Sequence, residues 1–259
     1  MSEPLVLRHP DADALVHAVA ARFITALVDA QSNDRVAQVV LTGGRVAARV
    51  YAAVAESPAR LAIDWRRVEF WWGDERFLPD GDPDRNETQA RDALLSHVDV
   101  DPARVHPMAP DTGQGAEAAA AAYAKELAAA ASTSTSTAGT STSAAAGAGG
   151  DASPVFDVLM LGVGPDGHVA SLFPGYPQLA VTDASAVAVH DSPKPPPTRV
   201  SLTLPVLDRA REVWFVVSGE DKAEAVGKAL TGGDVPAARP KGQERTLWLL
   251  DESAAQQLG

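Results

Sequence analysis

The sequence predicts an α/β fold: a doubly wound, mostly parallel sheet flanked by helices, Rossmann-like, in a single domain over residues 1–259. Three observations predict it. Short runs rich in β-branched and aromatic residues alternate with amphipathic stretches, and such alternation implies parallel strands joined by helical crossovers. The run Val155–Leu161 is nearly continuously apolar and closes on Gly162 and Gly164, as a strand buried on both faces would. A length of 259 residues suits one large α/β domain and requires no second.

Composition narrows the function classes. Hydrophobic residues make up 46% of the chain, enough for a proper core. Lys and Arg number 22 against 34 Asp and Glu, a net charge of -12 that argues against nucleic-acid or anionic-membrane binding. A local basic pocket for a small anion remains compatible with it. There is no cysteine, so disulfides and thiolate metal sites are excluded. The N-terminus lacks the pattern of a secretory leader, and no apolar stretch reaches the about 20 residues that span a bilayer. A cytoplasmic protein, monomeric or weakly homodimeric, is expected.

In chain order, Asp11–Gln31 has the apolar stripe of a sheet-covering helix, with Asp11 or Asp13 placed to cap it. Val36–Leu41 is a strand, followed by Thr42-Gly43-Gly44 and a helix over Arg45–Ala55. Strand, glycine pair and helix start make an anion-binding turn, although a plain tight turn would need the same glycines. Val68–Trp72 is the next strand and ends in Gly73-Asp74-Glu75-Arg76. Parallel strands would bring those charges to the sheet edge that carries the loop after Leu161. Pro79–Asn86 is a loop whose spacing and prolines do not fit a calcium site.

Glu87–His97 is predicted helical, Val105–Met108 a short strand, and Gly115–Ala131 an Ala-rich helix. Ser132–Gly150 is a low-complexity tract with almost no large apolar side chain, expected to be a mobile insertion at 132–150. Ala186–Val189, Glu212–Val217 and Thr246–Leu250 are further strands, Asp221–Leu230 is a helix stopped at Gly232-Gly233, and a short tail helix follows. Between them the proline-rich loop His190–Arg199 presents Lys194 and Arg199 on a stiff backbone, an arrangement suited to a phosphate, although an exposed proline turn with solvated charges would look the same.

The loop after Leu161 reads GVGPDGHVASLFPG and carries His168, with Asp166 two residues before it and Gly164 and Gly167 close by. A histidine at a strand end is often merely structural. The glycines favour a ligand, because they let a backbone approach closely, while the His in place of a long helix disfavours a dinucleotide.

This loop resembles the signature of the 6-phosphogluconolactonases, with Ser171-Leu172-Phe173-Pro174 as the discriminating part. Glucosamine-6-phosphate deaminases resemble it through Asp166-Gly167-His168 but follow it with a different ending. The likeness runs nearly end to end. It implies that Gly43 and Gly44 help hold substrate, that Arg76 faces it with Asp74 shaping the site, and that Glu75 is structural. It also implies that Asn86 belongs to the site and that Lys194 and Arg199 bind the substrate phosphate. Two departures stand out: Arg45 and Val46 replace the usual small and hydroxyl residues after Gly44, and Arg85 replaces a serine before Asn86. Whether Arg45 turns inward is open.

The activity implied is hydrolysis of 6-phospho-D-glucono-1,5-lactone to 6-phosphogluconate in the oxidative pentose phosphate pathway. A lactone is an ester already activated by its ring, so no cofactor, metal or covalent nucleophile is expected. His168 would be the general base, oriented by Asp166 or Asp74, with Gly43-Gly44, the Gly164–Gly167 turn or Arg76 supplying oxyanion donors. The alternatives are a deaminase or isomerase of the same fold and a non-catalytic sugar-phosphate sensor.

Overall fold

Six strands pair in parallel in the order β1-β9-β8-β5-β2-β3 in the computed structural model, which describes residues 3–137 and 153–259. They are β1 (Leu5–His9), β2 (Ala37–Leu41), β3 (Val68–Trp72), β5 (Val158–Leu161), β8 (Glu212–Val217) and β9 (Arg245–Asp251). Side chains alternate across this sheet and feed two separate cores. Val39, Leu41, Phe70, Trp72, Met160 and Trp214 point to one side, where α1 (Ala12–Ala30) and α2 (Arg45–Glu56) cover them. Val40, Trp71, Leu159, Leu161 and Phe215 point to the other. That second core is closed by α4 (Ala116–Thr137), by α6 (Ala223–Leu230) and by a small second sheet.

The small sheet is antiparallel, in the order β4-β7-β6, from β4 (Asp74–Arg76), β7 (Arg199–Leu202) and β6 (Ala186–Val189). Ala186–Val189 is thus a strand as expected, but it lies outside the parallel sheet. The charged Asp74-Glu75-Arg76 stretch forms a strand because Gly73 carries the chain out of β3 and its backbone pairs with Arg199–Ser201. Among the described residues the other α-helices are α3 (Asn86–Ala93) and the short α5 (Leu204–Leu207).

Several boundaries differ from expectation for local reasons. The expected strand at Val105–Met108 reduces to one bridge between Val105 and Phe70. The expected tail helix is a series of turns, capped where Asp251 Oδ1 accepts the Ala254 N–H at 2.7 Å. α4 continues into the Ser/Thr tract as far as Thr137, with Ser132 Oγ turned back to donate to the Ala128 carbonyl at 3.0 Å. The rest of the expected insertion at 132–150, from residue 138 on, lies outside the described residues.

Strand order decides where a ligand can sit. From β2 the chain steps to β3 on one side, and later passes from β5 to β8 and β9 on the other, so the winding reverses between β2 and β5. In open parallel sheets the crevice beyond the strand ends at such a reversal is the ligand site.

Candidate active site

A cavity of about 660 Å³ opens at that position, lined by the loops after β2, β3, β5 and β8. Two buried tyrosines pin the strand ends beneath it. Tyr51 of α2 accepts the Thr42 N–H at 3.0 Å and donates to the Thr42 carbonyl at 2.8 Å. Tyr123 of α4 does the same for Trp72, at 2.9 and 3.2 Å. Burial pushes both phenols far up, so they stay neutral donors.

His168 lines the cavity with its side chain 16% exposed, and its ring lies 4.5 Å from that of Phe173. Its Nδ1 donates to Asp166 Oδ1 at 2.5 Å. In the neutral ring such a bond places the proton on Nδ1 and leaves Nε2 with a lone pair. Burial by itself would raise the Asp166 carboxyl, but the bond and charge of His168 outweigh it and hold the group at about 2. The pair needs Gly164 beneath it, because a Cβ there would fall 2.0 Å from His168 Nδ1 and 2.5 Å from Asp166 Oδ1. Ala170, also on the cavity wall, takes the left-handed conformation at φ 48°, which costs a non-glycine residue about 1–2 kcal/mol. That strain re-aims the chain from His168 into the buried Ser171.

Asp74 belongs to a different knot. Its Oδ2 accepts the Ser171 hydroxyl at 2.7 Å, and its Oδ1 and main-chain oxygen accept Asn86 Nδ2 at 3.4 and 2.8 Å. It therefore ties β4, α3 and the His168 loop together. Gly43 closes the same corner: a Cβ there would meet Asn86 Oδ1 at 1.9 Å.

Cations dominate the lining. Arg45, Arg49, Arg76, Lys194, Arg199 and Lys222 face only Asp74 and Asp221 in it. Arg76 and Arg199 are paired directly across β4 and β7. Like charges so opposed cost roughly 0.2–1 kcal/mol unless an anion lies between or beside them. Burial lowers the pKa of Arg199, with the Arg76 charge adding to it. Burial likewise lowers that of Lys194, followed by the charge of Lys222. The Arg199 guanidinium is held by the carbonyls of Lys194, Pro195 and Pro196 at 3.2–3.3 Å, so the two residues form one unit. The arrangement can bind an anion and sets an imidazole in the same cavity.

Comparison with known proteins identifies the fold's lineage. Residues 10–248 match the family described as glucosamine-6-phosphate isomerases/6-phosphogluconolactonase. The chain belongs to this family. A 6-phosphogluconolactonase of Streptomyces coelicolor is 54% identical, covering 98% of this chain and 95% of its own. One of Mycobacterium tuberculosis is 45% identical, covering 96% of both. The solved structure of the 6-phosphogluconolactonase of Trypanosoma brucei matches with a TM-score of 0.83 at 28% identity, over 100% of both chains.

For a member of the glucosamine-6-phosphate isomerase/6-phosphogluconolactonase family, the residues singled out in the sequence converge well. Gly43, Gly44, Asp74, Arg76, Asn86, Gly164, His168, Lys194 and Arg199 all line the cavity. Asp166 stands behind His168, and Gly167 does not line the cavity. Gly167 packs on Val235, where its Cβ would approach within 2.8 Å, and its carbonyl accepts the Ala237 N–H. It shapes the loop from outside the cavity lining. Of the two carboxylates left open for orienting His168, Asp166 makes the bond. Arg45 does line the cavity, and so does Lys222, which the sequence reading missed. The signal for Lys222 was its place just after Gly219 at the end of β8, where a parallel sheet puts its ligand loops.

Proposed function

We propose that the chain hydrolyses 6-phospho-D-glucono-1,5-lactone to 6-phosphogluconate, the second step of the oxidative pentose phosphate pathway, in the cytoplasm. The observation that carries the reading is the shared cavity of an oriented imidazole and a group of cations on a protein of net charge -12. The activity named for its relatives supports the choice of substrate. Lys194, Arg199 and Lys222 hold the 6-phosphate, Arg by a two-pronged contact and Lys as a point charge. Phosphate held there fixes the lactone carbonyl relative to His168.

Water attacks C1 as His168 Nε2 takes one of its protons. Asp166 keeps the ring in the required tautomer and offsets the charge of the imidazolium that forms. Backbone N–H groups of the Gly43-Gly44 turn, at the start of α2, and Arg76 stabilise the tetrahedral oxyanion. When the intermediate collapses, the bond from C1 to the ring oxygen breaks and His168 returns its proton to that oxygen. The product is an open-chain carboxylic acid, which ionises.

The test is a direct assay of 6-phosphogluconolactone hydrolysis, corrected for spontaneous opening, with and without chelator. Turnover well above background that survives chelation is expected. Ammonia release from glucosamine 6-phosphate without lactone hydrolysis would overturn the reading.

A further inference from the structure

Behind the cavity, under β4, lies an ion pair that the mechanism above does not use. Glu75 and Arg85 are each 1% exposed, with Arg85 Nη2 3.8 Å from Glu75 Oε2. Glu75 Oε1 accepts the N–H groups of Arg76 and Asn86, both at 2.7 Å, and Oε2 accepts that of Glu87 at 2.9 Å. Asn86 and Glu87 open α3, whose N-cap residue is Arg85, with extended backbone and no side-chain cap bond. Arginine carries donors only and cannot cap. Glu75 therefore caps α3 from a neighbouring strand. Arg85 in turn donates to the carbonyls of Met108 at 2.7 Å and Leu78 at 3.3 Å.

The two residues this carboxylate grips on either side, Arg76 and Asn86, both line the cavity. We propose that Glu75, with Arg85 as its counter-ion, is a positioning residue for substrate binding: one buried carboxylate sets the distance between the strand that carries Arg76 and the helix that carries Asn86. A buried ion pair is a costly way to stabilise a fold, since well-packed apolar groups do as well or better. It is an effective way to fix backbone N–H groups of separate elements to a common point. Burial pushes the Glu75 carboxyl up to about 7 against the pull of Arg85 and the three N–H groups. The inference takes only its choice of ligand from the lactonase reading.

The experiment uses the full chain as wild type, Glu75→Ala, and the double variant Glu75→Ala/Arg85→Ser. Serine at position 85 can cap α3 itself, so the double variant keeps the helix while Arg76 still loses its acceptor. Measured are KM and kcat for the lactone, Kd for 6-phosphogluconate and for inorganic phosphate by calorimetry, and folding by circular dichroism. The expected result, in whichever variants are folded, is a rise of about tenfold in Kd for 6-phosphogluconate and a fall of at least about tenfold in kcat/KM, shared between KM and, because Arg76 also serves the oxyanion, kcat. Wild-type KM and Kd in a folded variant would overturn the inference, as would a loss confined to kcat. A wild-type chain that binds 6-phosphogluconate without hydrolysing the lactone would sink the proposed activity, and the Kd comparison would still decide the positioning role. Wild type binding neither 6-phosphogluconate nor phosphate would contradict both.

Discussion

Asp166 and His168 illustrate how a two-residue spacing becomes chemistry. With its pKa held down at about 2, below the ordinary 3.8, Asp166 is ionised throughout the neutral range. Its pairing contributes stability that is present above the ordinary value and lost as pH falls through about 2. Asp166→Asn keeps the size of the side chain but removes the charge that offsets an imidazolium. We expect kcat to fall by on the order of 10² while product affinity holds within about threefold, read by steady-state kinetics and calorimetry. The loop that carries this pair was legible because glycines and a strand end frame it. The choice between Asp166 and Asp74 was not, because Asp74 is turned toward Ser171 and Asn86 by the small antiparallel sheet, which its three charged residues did not announce. Lys222 escaped notice for a related reason: in the sequence it is one charge among Glu220 and Asp221 at a helix start.

At the scale of elements, the strands buried on both faces were readable from continuous apolar runs, and Val68–Trp72 and Glu212–Val217 appear with the expected bounds. β1 was missed because it is a half-exposed edge strand with Arg8 and His9 in it. Helix ends were less legible, since capping by a distant residue, as Glu75 caps α3, leaves no local pattern. The contact of α4 with β3 carries its own pH signature. His106 stacks on Trp71 at 3.9 Å and bonds Glu126 of α4 at 2.6 Å and Glu69 of β3 at 2.7 Å. Burial opposes the imidazolium, but the two glutamates outweigh it and raise the pKa from 6.5 to about 9. The folded value is the higher one, so this contribution is complete below 6.5 and vanishes as pH rises through about 9. The Tm difference between wild type and His106→Gln should be largest near about pH 6 and shrink steadily toward about pH 10. A difference that stays constant over that range would show that stacking on Trp71, and not the charge pairing, is what His106 supplies.

For the molecule as a whole, parallel winding gathers glycine turns, an imidazole and cations from across the chain at one edge. The cations Arg76, Lys194, Arg199 and Lys222 lie more than a hundred residues apart at the extremes, yet share one cavity in a chain whose surplus of acids lies elsewhere. Such a local field draws an anion in; on the proposed reading it holds the phosphate and leaves the lactone carbonyl to His168. The most direct measurement of this division of labour compares His168→Ala with wild type, for lactone turnover and for 6-phosphogluconate binding on the same preparation. A kcat lower by about 10²–10⁴ is expected, with Kd within about threefold. Undiminished turnover in a folded His168→Ala protein, or loss of product binding along with turnover, would contradict it.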